Sequence, residues 1–398
     1  MTRPKITIGF IPLLDCACIV AALEQGFARA EGLDVALVRE TSWANIRDRL
    51  IVGHFDAAHL LGPMAVASTL GVGHVQVPLI APFALGLGGN AITVSIPLWE
   101  QMVREGATVG ANPRMQGSAL ARAVAARANS AAARASAGAP RDEDAPLTFG
   151  MVYPFSCHNY ELRYWLAAVG IDPDRDVRLV VIPPPFLVDA MRAGQIDGFC
   201  VGEPWNSVAV DAGVGTIVAP TTAIWPHSPE KVLGCRASWA QENAAKLDAL
   251  IRALQRAALW CEDPANHADL AHMLAASRYV GAPAELLHAA LANRLSLSPG
   301  APPTALPDFY VSARGNATFP WISHAMWFYE QMIRWRQIES SPATAAAHLA
   351  AVRGAYRPDI YRRALAPLGV ALPAADVKLE HFFDETIFDP HAAPAISR

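Results

Sequence analysis

The chain has 398 residues, 53% of them hydrophobic and 17% charged, with a formal net charge of −4. This length predicts two domain-sized units around a large core, and the apolar content excludes intrinsic disorder. The mild acidity gives no electrostatic basis for direct nucleic-acid binding, and no apolar run is long enough to predict a membrane-spanning helix; a small anion can still bind in a local positive pocket.

The first strand is expected over Ile6–Ile11. Arg3 and Lys5 ahead of it imitate a signal peptide, but Pro12 and Asp15 break the apolar run and no small-x-small site follows. A helix near Ala17–Phe27 and an alternating strand Leu33–Arg39 come next. Ser42 is a plausible N-cap for a helix Trp43–Val52, Ala57–Leu60 reads as a strand, and Pro63 opens another helix. The stretches Val75–Ala84 and Ala91–Ser95 flank a glycine-rich turn, Gly86–Asn90. This rhythm predicts a mostly parallel sheet with helices on both faces.

From Ser118 to Ala139 the chain is rich in Ala and Arg and reads as an exposed helix or a partly mobile segment, followed by a charged link from Pro140 to Pro146. A second α/β unit then repeats the pattern: strand Leu147–Met151, helix Tyr160–Val169, strand Val177–Val181, helix Pro185–Ala193 and strand Ile196–Val201. After Val218 the chain is expected to cross back to the first unit. The segments Ser238–Ala275, Ala284–Leu295 and Trp321–Ile338 read as helices. The fold class is therefore α/β, with two lobes around one ligand cleft and a helical C-terminal region. Residues 1–92 and 222–398 are assigned to the first lobe and 93–221 to the second.

Six cysteines, at 16, 18, 157, 200, 235 and 261, include no C-x-x-C pair and are expected to be free, mostly buried thiols. No dinucleotide fingerprint, P-loop, nucleophile elbow or H-E-x-x-H motif occurs, so neither enzyme chemistry nor a cofactor is indicated. Glu203 is the only acid in a recognisable cleft motif, Gly202-Glu203-Pro204-Trp205, and one carboxylate makes no acid/base pair. Adjacent Cys157 and His158 point apart. Several residues suit ligand binding, each with an ordinary structural alternative. Gly202 lets a backbone N–H approach a ligand without a Cβ. Trp43 offers an indole N–H or fills a core. Asn90 offers an amide or ends a turn. His158, near a helix N-terminus, serves an anion or the core. Lys231 supplies charge or decorates the surface.

Several phrases together bring a family into view. They are Ile8 to Leu13, Ser42-Trp43-Ala44 with Arg47-Asp48, Gly53 to His59, Tyr164 to Ala167 with Gly170 to Pro173, Gly198 to Asn206, and Pro229-Glu230-Lys231-Val232. In these the chain resembles the nitrate- and bicarbonate-binding proteins of ABC transporters over nearly its whole length. The resemblance implies a type II, two-lobed periplasmic-binding-protein-like fold and a ligand set of Trp43, Asn90, His158, Gly202 and Lys231. Asn90 stands where the family commonly has Gln. Lys231 matches the lysine of nitrate binders, which implies nitrate or nitrite without a metal; bicarbonate binders lack it and use calcium.

The phrase Ser-Trp-Ala-Asn-Ile-Arg-Asp with Gly-His-Phe-Asp-Ala-Ala-His is similar to the NasS branch of cytoplasmic nitrate/nitrite sensors. That likeness implies a cytoplasmic protein whose partner is a NasT-like response regulator with an RNA-binding domain. The regulator, an antiterminator, would be sequestered and then released on ligand binding. The competing expectation is a substrate-binding component of a nitrate or bicarbonate ABC transporter.

Overall fold

The computed structural model describes residues 4–73, 75–136 and 146–392. In chain order the strands to Arg236 are β1 (Lys5–Phe10), β2 (Asp34–Arg39), β3 (Ala57–Leu61), β4 (Leu79–Ala84), β5 (Leu87–Gly88), β6 (Asn90–Ser95), β7 (Thr148–Met151), β8 (Arg178–Val181), β9 (Gly198–Gly202), β10 (Gly215–Pro220) and β11 (Lys231–Arg236). All but β5 build two five-stranded sheets, ordered β2-β1-β3-β11-β4 and β10-β6-β9-β7-β8. This is the two-lobed periplasmic-binding-protein fold.

In each sheet one strand runs against the others. In the first, β11 is antiparallel to β3 and β4; in the second, β6 is antiparallel to β9 and β10. Both reversed strands are the first of their sheet after the chain crosses between lobes. This direction puts the start of β6 and the start of β11 at the edge where β1, β3, β7 and β9 end. Strand ends that face a cleft in open α/β sheets are where ligands bind. Central strands such as β3, Ala-Ala-His-Leu-Leu, are buried at every residue, as a strand covered on both faces must be.

The outgoing crossing is the glycine turn. Strand β5 within it pairs with Tyr310–Val311, and Gly88, at φ +70°, has Phe309 O 2.2 Å from where a Cβ would stand. The turn exists to admit this close backbone approach, which no other residue permits. Strand β6 begins at Asn90 and lies wholly in the second sheet, so the chain changes sheet before residue 90 and not at 92. The return crossing lies between Pro220 and Lys231.

Several expectations need adjustment. The helix expected from Tyr160 starts at Cys157, because Ser156 caps it by accepting from the Asn159 N–H at 3.1 Å. The long helix expected over Ser238–Ala275 is broken into Ala237–Glu242, Ala244–Glu262 and His267–Ala275, with Pro264 in the last break. The Ala/Arg-rich segment is a helix, Pro113–Ser136, whose first half is packed rather than exposed: Ala119, Leu120 and Ala123 are buried. Residues 137–139 of that segment and 140–145 of the charged link lie outside the described residues.

The C-terminal region touches both lobes. Helix Ala244–Glu262 packs on Ala17–Glu24 beside the first sheet. Helix Ile322–Arg334, which carries the aromatic face, packs on the first-lobe helix Gly62–Leu70 and also reaches the second-lobe helix Cys157–Ala168. Its Trp327 is 2% exposed. The ring lies 4.5 Å from Trp225 and is stacked on Phe382 at 5.6 Å. The aromatic residues of this helix are thus core, with Trp321 and Trp335 only half-buried at its ends. Trp327→Ala is expected to lower the unfolding free energy by about 3–5 kcal/mol, the usual cost of emptying a buried aromatic site. Urea unfolding checks this, and unchanged stability would return the face to the surface.

Candidate functional site

Three lengths of chain bring side chains to the cleft edge from the first sheet. After β1, the turn Leu14–Cys16 places Asp15; on β3 sits His59; at the first position of β11 sits Lys231. The helix Trp43–Ile51 adds Trp43 in its first turn, its start fixed by Ser42 Oγ, which accepts from the Asn45 N–H at 3.2 Å. From the second lobe come Asn90 at the head of β6, Gly202 at the end of β9, and His158 and Glu161 on the helix Cys157–Ala168. His158 and Glu161 are three residues apart and share one helix face. All these residues except Gly202 rank among the buried polar or core side chains, and none is more than 5% exposed.

Lys231 is the centre. Its Nζ donates to Asp15 Oδ2 at 2.6 Å and to Glu230 Oε2 at 2.5 Å. An ammonium has three donors, so one remains for a ligand. Burial alone would lower the Lys231 pKa, but Asp15 and Glu230 outweigh it and hold the ammonium charged. Burial likewise pushes Asp15 up, and the charge of Lys231, with hydrogen bonds from His59 and Lys231, brings it well below the usual carboxylate range. His59 Nδ1 accepts from the Ile11 N–H at 3.4 Å, which leaves the proton on Nε2, 2.9 Å from Asp15 Oδ1. Trp43 stands edge-on to His59 at 5.3 Å, with Lys231 Nζ 6.0 Å from its ring centroid.

Around this centre several buried polar atoms have no hydrogen-bond partner in the protein: Trp43 Nε1, both amide atoms of Asn90, both ring nitrogens of His158, and Glu230 Oε1. Buried polar atoms are nearly always paired, so a convergent set of unpaired ones marks a ligand position. Gly202 lines the same space: a Cβ there would stand 3.0 Å from Asn90 Oδ1 and 3.7 Å from Asp15 Oδ2. Asn90 and Gly202 face each other across the ladder, and the neighbouring pair is bonded through Glu203 N to Gly89 O at 2.8 Å. By the alternation of antiparallel ladders, the Gly202 N–H then points away from β6, toward the side from which His158 arrives.

The structure therefore brings Trp43, Asn90, His158, Gly202 and Lys231 into one cluster. Burial first, and Lys231 second, push the His158 pKa well below its ordinary value, so the ring is a neutral donor. One expectation changes. Glu203 is not the lone acid: Asp15, Glu161 and Glu230 all reach the cleft. Glu203 serves the turn, its Oε2 accepting from the Ser207 N–H at 3.3 Å and its backbone carbonyl from the Leu14 N–H at 2.7 Å. Sequence reasoning passed over Asp15, His59, Glu161 and Glu230. For Asp15 and His59 the signal was a charged or polar residue inside a strongly apolar stretch, which is rare unless it is paired; Glu161 and Glu230 lie in polar stretches and carried no such signal. All six cysteines are free and buried, as expected.

Bonds across the cleft hold the lobes closed. Besides Leu14 to Glu203, Trp205 Nε1 donates to Pro12 O at 3.1 Å, and Arg47 donates to the Tyr153 hydroxyl. Among the described residues no three His, Cys, Asp or Glu side chains are set to hold a metal ion. The Lys231 ammonium occupies the space between the two carboxylates nearest to such an arrangement.

A two-lobed α/β molecule closed over such a cluster is a ligand-binding protein of the periplasmic-binding class. The chain belongs to the NMT1-like family, whose model matches residues 2–275. It is 34% identical over 399 residues to the nitrate/nitrite binding protein NrtA of Synechococcus elongatus, covering 97% of this chain and 83% of that one. It is also 34% identical to the nitrate import ATP-binding protein NrtC of Synechocystis, but spans only 54% of that relative's length. The crystal structure of the periplasmic nitrate-binding protein NrtA from Synechocystis superposes with a TM-score of 0.84 at 28% identity, covering 98% of this chain and 96% of the other.

Removing the ammonium leaves Asp15 and Glu230 buried without their cation. Lys231→Met is expected to cost about 3–5 kcal/mol of stability near neutral pH, the usual penalty for breaking a buried pair. The loss should shrink as pH falls toward about 5, because Asp15, no longer held down by Lys231, then takes up a proton; Glu230, which chiefly Lys231 keeps from rising further, is already neutral in the variant. Urea unfolding of the variant at several pH values checks both the size and the sign.

Proposed function

We propose that the cleft binds nitrate or nitrite and that the protein is a cytoplasmic sensor of these anions. The observation that carries the anion reading is the convergence of unpartnered donors, Trp43 Nε1 and the Asn90 and His158 nitrogens, on the remaining N–H of Lys231. A planar monoanion with three weak acceptor oxygens matches one charge and several directed donors, and charge-assisted bonds are the strong ones. The ligand needs no metal, because Lys231 supplies the positive charge.

In the sensor reading, the ligand-free protein sequesters a NasT-like regulator with an RNA-binding domain, an antiterminator, and releases it when the anion closes the lobes. Support comes from the phrases Ser42–Asp48 and Gly53–His59 and from the bonds that only the closed cleft makes, such as Leu14 N to Glu203 O. Hinge closure is a two-state element that both a ligand and a partner can bias, and the coupling is reciprocal. A second reading is the substrate-binding component of a nitrate or bicarbonate ABC transporter. The likeness to NrtA along 97% of the chain favours it.

Calorimetry with nitrate, nitrite and bicarbonate tests the anion reading. Trp43→Phe keeps the ring and removes one donor. It is expected to weaken nitrate or nitrite binding by about 1.5–3 kcal/mol, as for a hydrogen bond to a charged group. Preference for bicarbonate with a strict calcium requirement would sink the assignment. Co-purification of the regulator with and without nitrate separates the two readings: the sensor predicts less complex with nitrate, and equal complex in both conditions rejects it.

A further inference from the structure

A cleft that takes an anion holds, among the described residues, the carboxyl groups of Asp15, Glu161 and Glu230 around the single ammonium of Lys231. Adding a monoanion to that set raises the negative charge in a site closed to water, where charge is costly. Glu230 is 3% exposed. One of its oxygens, Oε2, is tied to Lys231 at 2.5 Å, while Oε1 has no partner. Glu161 stands in its field from the facing helix, 1% exposed, with Ser228 and Asn90 the polar side chains that reach its carboxyl group and no cation paired to it.

We propose that the anion enters together with one proton, taken from solvent onto Glu230 Oε1. The inference rests on the anion reading above. The proton adds an O–H donor to the ligand space and removes the carboxylate charge that the anion would otherwise meet. Oε2 continues to accept from Lys231.

The other groups around Glu230 are unsuited to this role. On the turn after β1, Asp15 is held ionised by Lys231 and His59. On the facing helix, His158 stays neutral, and Glu161, with burial and Glu230 both pushing it up and no paired cation, already keeps its proton. The thiols of Cys157 and Cys200 and the phenol of Tyr356 remain protonated, since burial drives each well above its ordinary value. Burial raises Glu230, and Lys231 opposes it only in part, so its pKa lies at about 7. The bound anion raises it further. Glu203 also sits at about 7 through burial, but it is engaged with Ser207 in the turn.

The test is titration calorimetry of the whole protein with sodium nitrate and sodium nitrite in buffers of different ionisation enthalpy. Uptake should approach one proton per anion near pH 8 and vanish near about pH 5.5. The Kd should rise about tenfold per pH unit above about 7, as one linked proton requires. Glu203→Gln should keep the uptake and Glu230→Gln should abolish it, leaving affinity flat with pH. Anion binding with no proton uptake in the unmodified protein overturns the inference, as does uptake that survives Glu230→Gln. Absence of binding by either anion rejects the anion reading itself, and the inference with it.

Discussion

The burial of the Lys231 ammonium between Asp15 and Glu230 is the constraint on which the site depends. An isolated ammonium at this depth would lose its proton, and isolated carboxylates would gain one. Only the cluster as a whole keeps charge inside. Its members come from different parts of the chain: the turn after β1 and the head of β11. The pair therefore ties the start of the chain to the strand that returns from the second lobe. His59 completes the anchor through Asp15 Oδ1, so β3 is drawn in as well.

The reversed strands explain why the ligand groups meet at all. Had β6 and β11 run with their neighbours, Asn90 and Lys231 would lie at the far edge of their sheets, a strand length from Gly202 and Asp15. Each crossing between lobes turns the chain around, and the first residue of the next strand is delivered to the cleft. Asn90 thereby faces Gly202 in direct register, and Lys231 faces Leu61 at the end of β3. The same crossings join the two sheets, so Asn90 and Lys231 sit directly beside the connections between the lobes.

Much of this was legible in the sequence. Most strands of the two sheets and several helices before Val218 follow from apolar period, caps and glycine positions, whereas the helices Ile96–Arg104 and Trp205–Asp211 and the strand Gly215–Pro220 were not foreseen. Trp43, Asn90, His158, Gly202 and Lys231 owed their place to the resemblance more than to the residues, since each had an ordinary alternative. What was not legible was pairing at long range. Asp15 looked like the end of an apolar run, and nothing local says that it meets a lysine more than two hundred residues on. Ser156 was overlooked as a cap, which hid the shared helix face of His158 and Glu161. The aromatic residues around Trp327 gave no sign of whether they met solvent or the Trp225 and Phe382 rings, because periodicity defines a face and not its partner.

The carboxyl content of the cleft also bears on which anions fit. One ammonium already shared by two acids can offset a single extra negative charge, and it does so best when a neighbouring acid is neutral. A dianion would meet Asp15, which its partners keep ionised, with no second cation paired into the cluster among the described residues. A weakly basic, planar monoanion has the opposite profile. It asks for directed N–H groups rather than for full neutralisation, and Trp43, Asn90 and His158 supply these without adding charge. His158 matters here because it is uncharged: as a cation it would broaden the site toward any anion, whereas as a neutral donor it rewards only a ligand whose oxygen meets its N–H. In the proposed anion reading, selectivity in this cleft rests on withholding positive charge as much as on providing it.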